Sequence, residues 1–484
     1  MRKTGRFLTL IFLLTFSFTF FGCQSTSSKG TSYHITCSLS GNELTGEEKV
    51  NFVNEGNNCL SQLKFNLHAN AFRKGAKYSP IAEEYKSQSY PNGVSYGDMK
   101  IDSVLIGEKK ANFSIGGEDE NILIINLEEE LFPNERVEVV IFYTLNLANV
   151  IARTGVNSKT INLANFYPIL CALDQDGFYE CVYYSCGDPY YSDVANYTVD
   201  FTCDSEYTVA SSGNLKSSSS KGNKTQMVYE IKDARSFCLV LCKDYKVLTD
   251  NALGVNINYY YYDDQTPNSS MQYAIKSLKT FTQRFGNYPY KTYSVCQTQF
   301  IQGGMEFPAL VMISDALEPK AYGEVIVHET AHQWWQTTVG NNEIEHSFLD
   351  EGLAEYSVVV FYEDNAEYGY TRQSLINSSK LTYKTFCSVQ DKVLGKIDTS
   401  MLRGLKDFTS EYEYVNVSYV KTCLMYDILR QTIGDHTFFD SLKNYYEQFS
   451  FKNATPYDLV GCFEKTGADT NGFFETFFFG KEIL

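Results

Sequence analysis

Short apolar runs alternate with polar residues through the first half of the chain, from Tyr33 to about Asp250. The segment 122–127 reads ILIINL and the segment 137–143 reads VEVVIFY, and Gly, Asn and Ser separate such runs. A period of two predicts strands with one buried face. We therefore expect an antiparallel β domain of the sandwich or saddle type over 33–250. The serine run Ser217–Ser220 is expected to form a hairpin tip at the surface.

Helical periodicity replaces this pattern after about Ala252. One apolar stripe is formed by five residues three or four positions apart: Met271, Ala274, Leu278, Phe281 and Phe285. Four further segments carry the same periodicity: Gly323–Trp335, Asp350–Glu363, Ser418–Gln431 and Asp435–Phe449. Apolar residues at this spacing predict helices with one buried face. The sequence thus predicts an α-rich domain over 251–484 that follows the β domain.

The N-terminus has the pattern of an export signal. Three basic residues precede the apolar run 7–21, which ends in Gly22-Cys23. Charge and length predict a signal peptide over 1–22. A Cys directly after a small residue resembles the lipobox of bacterial lipoproteins, which implies lipidation of Cys23, a tether over 23–32 and an extracytoplasmic location on the cell membrane. An uncleaved anchor with an incidental Cys is the alternative, and either form tethers the chain to a membrane.

The net charge of the chain limits the partners that it can bind. The chain has 58 acidic and 41 basic residues, and its net charge is −17. Such a surface repels phosphate backbones and anionic lipid headgroups, so nucleic acid is not an expected partner. No segment indicates a protein partner.

Twelve cysteines follow Cys23 with irregular spacing and no CxxC, so disulfides and buried reduced thiols both remain open.

A metal-binding pattern lies on the predicted helix 323–335. It reads His328-Glu329-Thr330-Ala331-His332. Residues four apart share one helical face, so both imidazoles can reach one zinc ion, with Glu329 beside them. Catalytic zinc needs a third protein ligand. Glu351, nineteen residues after His332 and near the start of the next helix, is the candidate.

The flanking sequence resembles the aminopeptidase N family of gluzincins. The segment 327–356 reads VHETAHQWWQTTVGNNEIEHSFLDEGLAEY and is similar to the core of that family. Upstream, GGMEFP at 303–308 resembles its GxMEN exopeptidase element, and downstream Tyr419-Val420-Lys421 resembles its catalytic tyrosine segment. The strings NLHAN at 66–70 and NFYP at 165–168 also have counterparts. The resemblance therefore covers nearly the whole chain after the signal, and it implies a thermolysin-like zinc catalytic domain.

The resemblance implies a role for each matching residue of the zinc site. His328, His332 and Glu351 would hold one zinc ion, which polarises the scissile carbonyl. Glu329 would be the general base that takes a proton from water and returns it to the leaving amine. Tyr419 would donate a hydrogen bond to the developing oxyanion. Tyr414 is the alternative donor if the alignment is shifted by five residues.

The GxMEN-like element implies a preference for free N-termini. Glu306 would pair with the α-ammonium of the substrate, so that only chain ends bind productively. Gly303, Gly304 and Met305 would form the part of the strand that runs close to the substrate backbone. Glu355 and His346 are further candidates for groups that orient a zinc-bound imidazole or face the substrate.

Several positions depart from the family pattern. Phe307 stands where Asn is common, Gln336 stands where Gly or Tyr is usual, and Thr422 stands in place of Gly. None of them removes a group that the proposed chemistry needs. The chain also ends soon after the last catalytic-domain helices, so we expect it to lack the C-terminal helical domain of longer relatives and to have a more open site.

Three functions remain open from sequence. The first is a zinc aminopeptidase that releases N-terminal residues from peptides at the cell surface. The second is a thermolysin-like endopeptidase on the same zinc scaffold, against which Glu306 argues. The third is a non-catalytic surface lipoprotein whose β domain binds a ligand. The full set of residues that the chemistry needs argues against this third function.

Overall fold

The computed structural model describes residues 30–395, 398–467, 470 and 472–480. The predicted signal peptide over 1–22 and the predicted lipidation at Cys23 lie outside the described residues. Within the described part of the chain, no helix combines the length and the hydropathy that a membrane span requires.

The N-terminal half is built from β-strands, as the period-two pattern predicts. The strands are β1 (Ser32–Ser40), β2 (Glu43–Val53), β3 (Leu60–Asn66), β4 (Asp98–Ile106), β5 (Lys109–Lys110), β6 (Phe113–Gly116), β7 (Ile122–Leu131), β8 (Arg136–Asn146), β9 (Thr154–Val156), β10 (Thr160–Ala164), β11 (Ile169–Leu170), β12 (Leu173–Asp174), β13 (Gly177–Phe178), β14 (Ala195–Asp204), β15 (Thr208–Ser211), β16 (Asn214–Lys221), β17 (Lys224–Ala234) and β18 (Cys238–Cys242). A single helical turn, α1 (Lys86–Ser89), and two 3₁₀ turns at His68–Phe72 and Glu83–Tyr85 interrupt them.

Sixteen of these strands form one large sheet and two smaller ones, and β12 pairs with β13 in a separate two-stranded sheet. The large sheet has the order β16-β17-β14-β1-β2-β8-β4-β5, and the smaller sheets are β15-β18-β10-β9 and β11-β3-β7-β6. Burial alternates along β14, so one of its faces lies in the core. The pair β1 and β14 is parallel, whereas the other described pairs of these three sheets are antiparallel.

The serine run is not the hairpin tip that the sequence predicted. Ser217–Ser220 lie within β16 and pair with β17, and the turn falls at Gly222-Asn223. β16 is an edge strand whose residues from Leu215 onward are exposed. Serine side chains are therefore solvated on both faces while the backbone is paired on one side, which makes a polar strand possible at this position.

The C-terminal half contains a second sheet and most of the helices. Its strands are β19 (Lys246–Ala252), β20 (Val255–Tyr261), β21 (Thr292–Thr298), β22 (Gly304–Phe307), β23 (Leu310–Ser314), β24 (Val339–Gly340) and β25 (Lys452–Asn453). Its helices are α2 (Pro267–Arg284), α3 (Pro319–Ala331), α4 (Glu343–His346), α5 (Phe348–Asp364), α6 (Arg372–Leu394), α7 (Glu411–Tyr414), α8 (Thr422–Ile433), α9 (Asp435–Phe449), α10 (Pro456–Lys465) and α11 (Phe473–Phe478). A π-helical segment at Val415–Lys421 and 3₁₀ turns at Ala366–Tyr368 and Leu405–Asp407 complete the set.

The five-stranded sheet has the order β19-β20-β21-β23-β22. Strands β20, β21 and β23 are parallel, and β22 closes the edge in the antiparallel sense. The apolar stripe of α2 is buried as predicted. Helices α9 and α5 lie within two residues of the predicted bounds. The prediction of a β domain followed by an α-rich domain is confirmed, and the α-rich domain also contains this five-stranded sheet.

Arg235, a buried residue just after β17, joins the two halves. Its guanidinium donates to the carbonyl of Ser192 at 2.8 Å and to the carbonyl of Lys452 at 2.7 Å, and it also contacts the side chain of Asn453. Gly340, on the strand paired with β25, leaves no room for a Cβ atom because the guanidinium fills that space. A charged side chain buried with this many acceptors fixes the relative position of the domains.

None of the twelve described cysteines forms a disulfide, and ten of them are buried. Burial raises the pKa of several of these thiols, including Cys181, whose pKa rises to about 12. Thiols in this environment are neutral and behave as small apolar side chains.

Glu48, in β2, is a buried carboxyl group inside the β domain. Its exposed fraction is 0%, and neither of its oxygens has a hydrogen-bond partner. Burial raises its pKa well above the ordinary value. Folding therefore favours the protonated form of this side chain.

We expect Glu48→Gln to change the pH dependence of stability. The folded state holds its proton above the unfolded pKa of about 4.3, so the free energy of unfolding of the wild type falls as pH rises through that value and beyond. The glutamine side chain of the variant cannot ionise, so the variant does not lose stability in this way as pH rises. In denaturant unfolding, the free energy of unfolding of Glu48→Gln relative to the wild type should increase by about 1–3 kcal/mol between pH 5 and pH 8. Glu47→Gln, at the exposed neighbouring position, should behave as wild type. A pH-independent effect of Glu48→Gln would contradict this account.

Candidate active site

Helices α3 and α5 bring three ligand atoms together. The Nε2 atoms of His328 and His332 are 3.1 Å apart. Glu351 Oε2 lies 3.3 Å from His328 Nε2 and 3.2 Å from His332 Nε2. His328 lies on α3, His332 is the residue that caps the C-terminal end of this helix one turn later, and Glu351 lies in the first turn of α5. The structure thus brings together the three residues that the sequence pattern predicted as ligands.

The spacing of these atoms fits a zinc ion. Ligands about 2.0–2.1 Å from a tetrahedral zinc are separated from one another by about 3.3 Å, close to the three distances between His328, His332 and Glu351. Two imidazoles and one carboxylate also form a donor set that catalytic zinc uses. Among the described residues, this is one of three groups of His, Cys, Asp or Glu whose ligand atoms lie within 4.8 Å of one another.

Hydrogen bonds orient both imidazoles. His332 Nδ1 donates to the carbonyl of Trp335 at 3.0 Å, and His328 Nδ1 lies 3.3 Å from Glu355 Oε2. Both contacts direct Nε2 toward the common point. Glu355 therefore takes the orienting position that was considered for it. His346 is half-buried and is not among the described residues that line the cleft.

The pKa values of His328, His332 and Glu351 reflect the attraction between the two imidazoles and the carboxylate. Burial by itself would lower the pKa of His328, but hydrogen bonds to Glu351 and Glu355 raise it to about 10. His332 follows the same pattern, with its pKa also raised to about 10. Burial would raise the pKa of Glu351, yet the two histidines hold it below the usual range. The cluster therefore favours added positive charge, and metal binding would displace these protons.

Glu329 lies beside the three ligands and against β22. Its exposed fraction is 5%, its Oε2 atom has no hydrogen-bond partner, and burial raises its pKa to about 7. A Cβ atom on Gly304 would overlap the Glu329 carboxylate. Gly304 is therefore the residue that gives this carboxylate its space.

Strand β22 presents alternate residues to the cleft. Gly304 and Glu306 line the cleft together with Gly303, which precedes the strand. Met305 and Phe307 belong instead to an apolar cluster behind the strand, as the alternation of a strand requires. The Met305 side chain is thus placed away from the cleft, although the sequence grouped it with the substrate-binding residues.

The π-helical segment carries Tyr419. Its ring stacks on the His328 imidazole, with centroids 5.7 Å apart and planes at 12°. Lys421 Nζ, two residues later and fully buried, donates to the carbonyls of Thr399 at 2.5 Å and Phe477 at 2.8 Å. A π-helical turn is a common feature of functional sites, and here the lysine anchors it.

Tyr414 lies behind Tyr419. The two rings meet edge to face at 5.6 Å. Tyr414 is 3% exposed and its hydroxyl has no hydrogen-bond partner. Both tyrosines line the cleft, but in the described structure only Tyr419 is in ring contact with a ligand residue.

The cleft around these residues has a volume of about 260 Å³ and a strongly acidic lining. Its charged residues, apart from the histidines, are Asp188, Glu306, Glu324, Glu329, Glu351, Glu355, Glu411 and Arg153. Burial raises the pKa of Glu306, and the surrounding carboxylates add to the effect. Such a lining favours cations, whether metal ions or ammonium groups.

The sequence did not single out Asp188 and Arg153. Both come from the β domain, and they form an ion pair of 2.6 Å with side chains about one-tenth exposed. Nothing in their local sequence indicates a role, because they reach the cleft only through the packing of the two domains. Glu343, whose carboxylate lies within 4.8 Å of the carboxylates of Asp188 and Glu306, was also missed.

Part of the C-terminal half is similar to a known peptidase family. Residues 269–477 match the Peptidase family M1 domain. The chain is 25% identical over 289 residues to Aminopeptidase 2 of Candida albicans. The aligned region covers 55% of this chain and 30% of that protein. It is 25% identical over 193 residues to Aminopeptidase B of Rattus norvegicus, with coverage of 38% and 29%. The matches thus span about 30% of the length of these relatives.

Solved structures share the fold over almost the whole chain. The M1 zinc metallopeptidase from Deinococcus radiodurans superposes with a TM-score of 0.67 at 16% identity, covering 94% of this chain and 96% of that one. A mutant of it bound to a Tyr-Ser-Ala substrate gives 0.64 at 17% identity with the same coverage. The resemblance to aminopeptidase N-like gluzincins is confirmed: the chain shares the two-domain fold of the M1 zinc metallopeptidase structures, and its residues 269–477 match the Peptidase family M1 domain.

Proposed function

We propose that the protein is a zinc aminopeptidase, which releases the N-terminal residue of peptides by hydrolysis. The observation that carries this proposal is the convergence of His328, His332 and Glu351 at 3.1–3.3 Å in a cleft shared with Glu329 and Glu306. The aminopeptidase relatives and the M1 zinc metallopeptidase fold support the same activity.

One zinc ion would be held by His328, His332 and Glu351. When bound, it supplies a Lewis acid that polarises the scissile carbonyl and makes water more acidic. Glu355 and the Trp335 carbonyl keep the imidazoles in the orientation that metal binding needs.

Glu329 would act as the general base. Its free Oε2 atom lies in the cleft wall beside the ligands, where it can take a proton from the attacking water. It then returns that proton to the nitrogen of the leaving amine. The space at Gly304 lets the carboxylate approach the scissile bond.

Tyr419 would stabilise the oxyanion that develops on the carbonyl. Its ring packs against His328, and its hydroxyl interacts with the Glu351 carboxylate, which puts the hydroxyl on the side of the cleft where the metal would bind. Burial raises the pKa of Tyr419, so the phenol stays protonated and able to donate a hydrogen bond. Tyr414 supports the ring of Tyr419 from behind.

Glu306 would restrict the activity to free N-termini. It is 4% exposed, and its Oε1 atom has no partner in the protein. A buried carboxylate in this state gains most from an ammonium group, and an acetylated or internal peptide nitrogen offers no such charge. The binding energy is thus available only to chain ends.

We further propose that this activity is exported and held at a bacterial membrane by a lipid on Cys23. The basic residues, the apolar run 7–21 and Gly22-Cys23 support this proposal. Peptide substrates outside the cell would then reach the cleft directly.

The proposed activity predicts a clear substrate preference. The wild-type protein should hydrolyse aminoacyl-anilides with a free α-amine and should leave the N-acetylated compounds intact. Glu329→Gln should bind zinc normally, measured as metal per chain, and lose at least about 100-fold in kcat, because a general base contributes about 10²–10⁴-fold. Hydrolysis of the acetylated compounds would instead support the endopeptidase. Full activity of Glu329→Gln would contradict the assigned base.

Gly304→Ala should lower activity, because it changes the space that the Glu329 carboxylate occupies. The added methyl group would displace the carboxylate, so we expect kcat to fall at least about tenfold while zinc content stays near that of the wild type. Gly461→Ala is the matched control, because a Cβ at that helical position meets no atom within 4 Å and should leave kcat unchanged. Retained activity in Gly304→Ala would show that Glu329 does not depend on this glycine.

A further inference from the structure

The π-helical segment Val415–Lys421 is held from the side opposite the cleft. Tyr419 lines the cleft, whereas Lys421, two residues later, does not. Side chains two positions apart on a helix do not share a face. Lys421 has an exposed fraction of 0%, so its side chain lies inside the protein, behind the segment. The residue that carries the phenol and the residue that fixes the segment are thus separate.

The ammonium group of Lys421 binds carbonyls from two other parts of the chain. Its Nζ atom donates to the carbonyl of Thr399 at 2.5 Å and to the carbonyl of Phe477, in α11, at 2.8 Å. It also lies 5.8 Å from the centre of the Phe477 ring. A buried ammonium group is costly unless acceptors surround it, and a charged donor makes stronger hydrogen bonds than a neutral one. The positions of these two carbonyls therefore determine where Lys421 lies.

Helix α11 is in turn fixed to the segment that begins at Thr399. The Phe478 carbonyl accepts a hydrogen bond from the Ser400 hydroxyl at 3.0 Å. Gly480 has no room for a side chain, because a Cβ atom there would lie 2.7 Å from the Ser400 nitrogen. The helix and this segment thus form one packed unit, and the ammonium group of Lys421 binds both of its parts.

The same unit supports the helix that carries a predicted zinc ligand. The ring of Phe478 packs against the ring of Phe348, with centroids 5.2 Å apart. Phe348 is the first residue of α5, three positions before Glu351. The hydroxyls of Ser347 and Ser418 are 3.1 Å apart and join the start of α5 to the π-helical segment. The phenol and the carboxylate ligand therefore share one support.

The π-helical segment is also in close contact with α5. A Cβ atom on Gly352 would lie 2.0 Å from Cγ2 of Thr422, the residue that follows the segment. Movement of the segment toward α5 is thus blocked, and the Lys421 contacts oppose movement in other directions. A shift of the segment would change the position of the Tyr419 ring, which stacks on His328 at 5.7 Å.

We propose that Lys421 is a positioning residue for the reaction, and that α11 is the support on which it acts. Lys421 holds Tyr419 where its hydroxyl can donate to the developing oxyanion. The proposal rests on the aminopeptidase function. It gives a role in the chemistry to a helix that contributes none of the described residues lining the cleft. Lys421 does not touch the substrate, and its effect on the rate passes through Tyr419.

Lys421→Met tests this role through the kinetics of phenylalanine p-nitroanilide hydrolysis. The oxyanion contact forms only in the transition state, so its loss should lower kcat and leave KM nearly unchanged. Loss of one oxyanion donor costs about 10²–10³-fold in kcat. Tyr419→Phe should lose this much, and Lys421→Met should lose about tenfold because it displaces the donor without removing it. Affinity for a phosphinic dipeptide, a tetrahedral analogue, should weaken with kcat, whereas inhibition by L-phenylalanine amide should not change.

A double variant separates positioning from a general loss of stability. If Lys421 acts through Tyr419, adding Lys421→Met to Tyr419→Phe should lower kcat no further. Arg430→Met is the matched control, because it also removes a buried cation, which donates to Glu363 and Asp435 outside the cleft. This control should lower the free energy of unfolding and leave kcat unchanged.

A second variant keeps the lysine and disturbs its support. Gly480→Ala would bring a Cβ atom to 2.7 Å from the Ser400 nitrogen, so kcat should fall by a smaller factor than in Lys421→Met, and not at all in the Tyr419→Phe background. Gly472→Ala is the control, since its φ of 70° resembles the 64° of Gly480 but its Cβ would meet no atom within 4 Å. This control should keep kcat. The glycine pair decides the question if Lys421→Met does not fold.

An unchanged kcat in folded Lys421→Met, or an equal loss of kcat in the wild-type and Tyr419→Phe backgrounds, would overturn the proposal. Zinc per chain should stay at the wild-type value in each variant. Its loss in Lys421→Met would also overturn the proposal, because the lysine would then act through the metal site. Failure of the aminopeptidase function looks different, because the wild-type protein itself would then release no product from free-amine anilides.

Discussion

Buried negative charge in one cleft is the constraint on which the rest of the structure depends. Seven carboxylates and one arginine line the cleft in the described part of the chain. Carboxylates at this density are stable only with protons or cations beside them. The cleft therefore offers two positions for a cation, one at the group His328, His332 and Glu351 and one at the unpaired oxygen of Glu306. A metal ion and a peptide N-terminus are the charges that such a cleft can accept together.

The fold positions the residues of the cleft by holding the backbone segments that carry them. Helices α3 and α5 set the ligand distances, and β22 places Gly304 and Glu306 on one face. Lys421 anchors the π-helical segment that carries Tyr419, and Arg235 anchors the β domain to β25. Each anchor is a buried cation that donates to backbone carbonyls, and these contacts hold the segments in place without a disulfide among the described residues.

Local patterns in the sequence predicted the parts of the site that depend on one or two helices. The four-residue spacing of His328 and His332 is a property of a single helix, and the fold class followed from two periodicities. The resemblance to a known family supplied Glu306 and Tyr419. Asp188, Arg153 and Glu343 were missed because their contacts join distant segments, and no local pattern records such a contact. The serine run was misplaced for a similar reason, since its position at a sheet edge depends on which strands lie beside it.

The central claim is that one zinc ion at His328, His332 and Glu351 supports hydrolysis at free N-termini. Titration of the metal-free protein with zinc tests it most directly, with bound metal and hydrolysis of a free-amine anilide followed in the same samples. The account predicts that activity rises in proportion to bound zinc and reaches its maximum at one ion per chain. Hydrolysis that persists in the metal-free protein, or that requires a second ion, would contradict it.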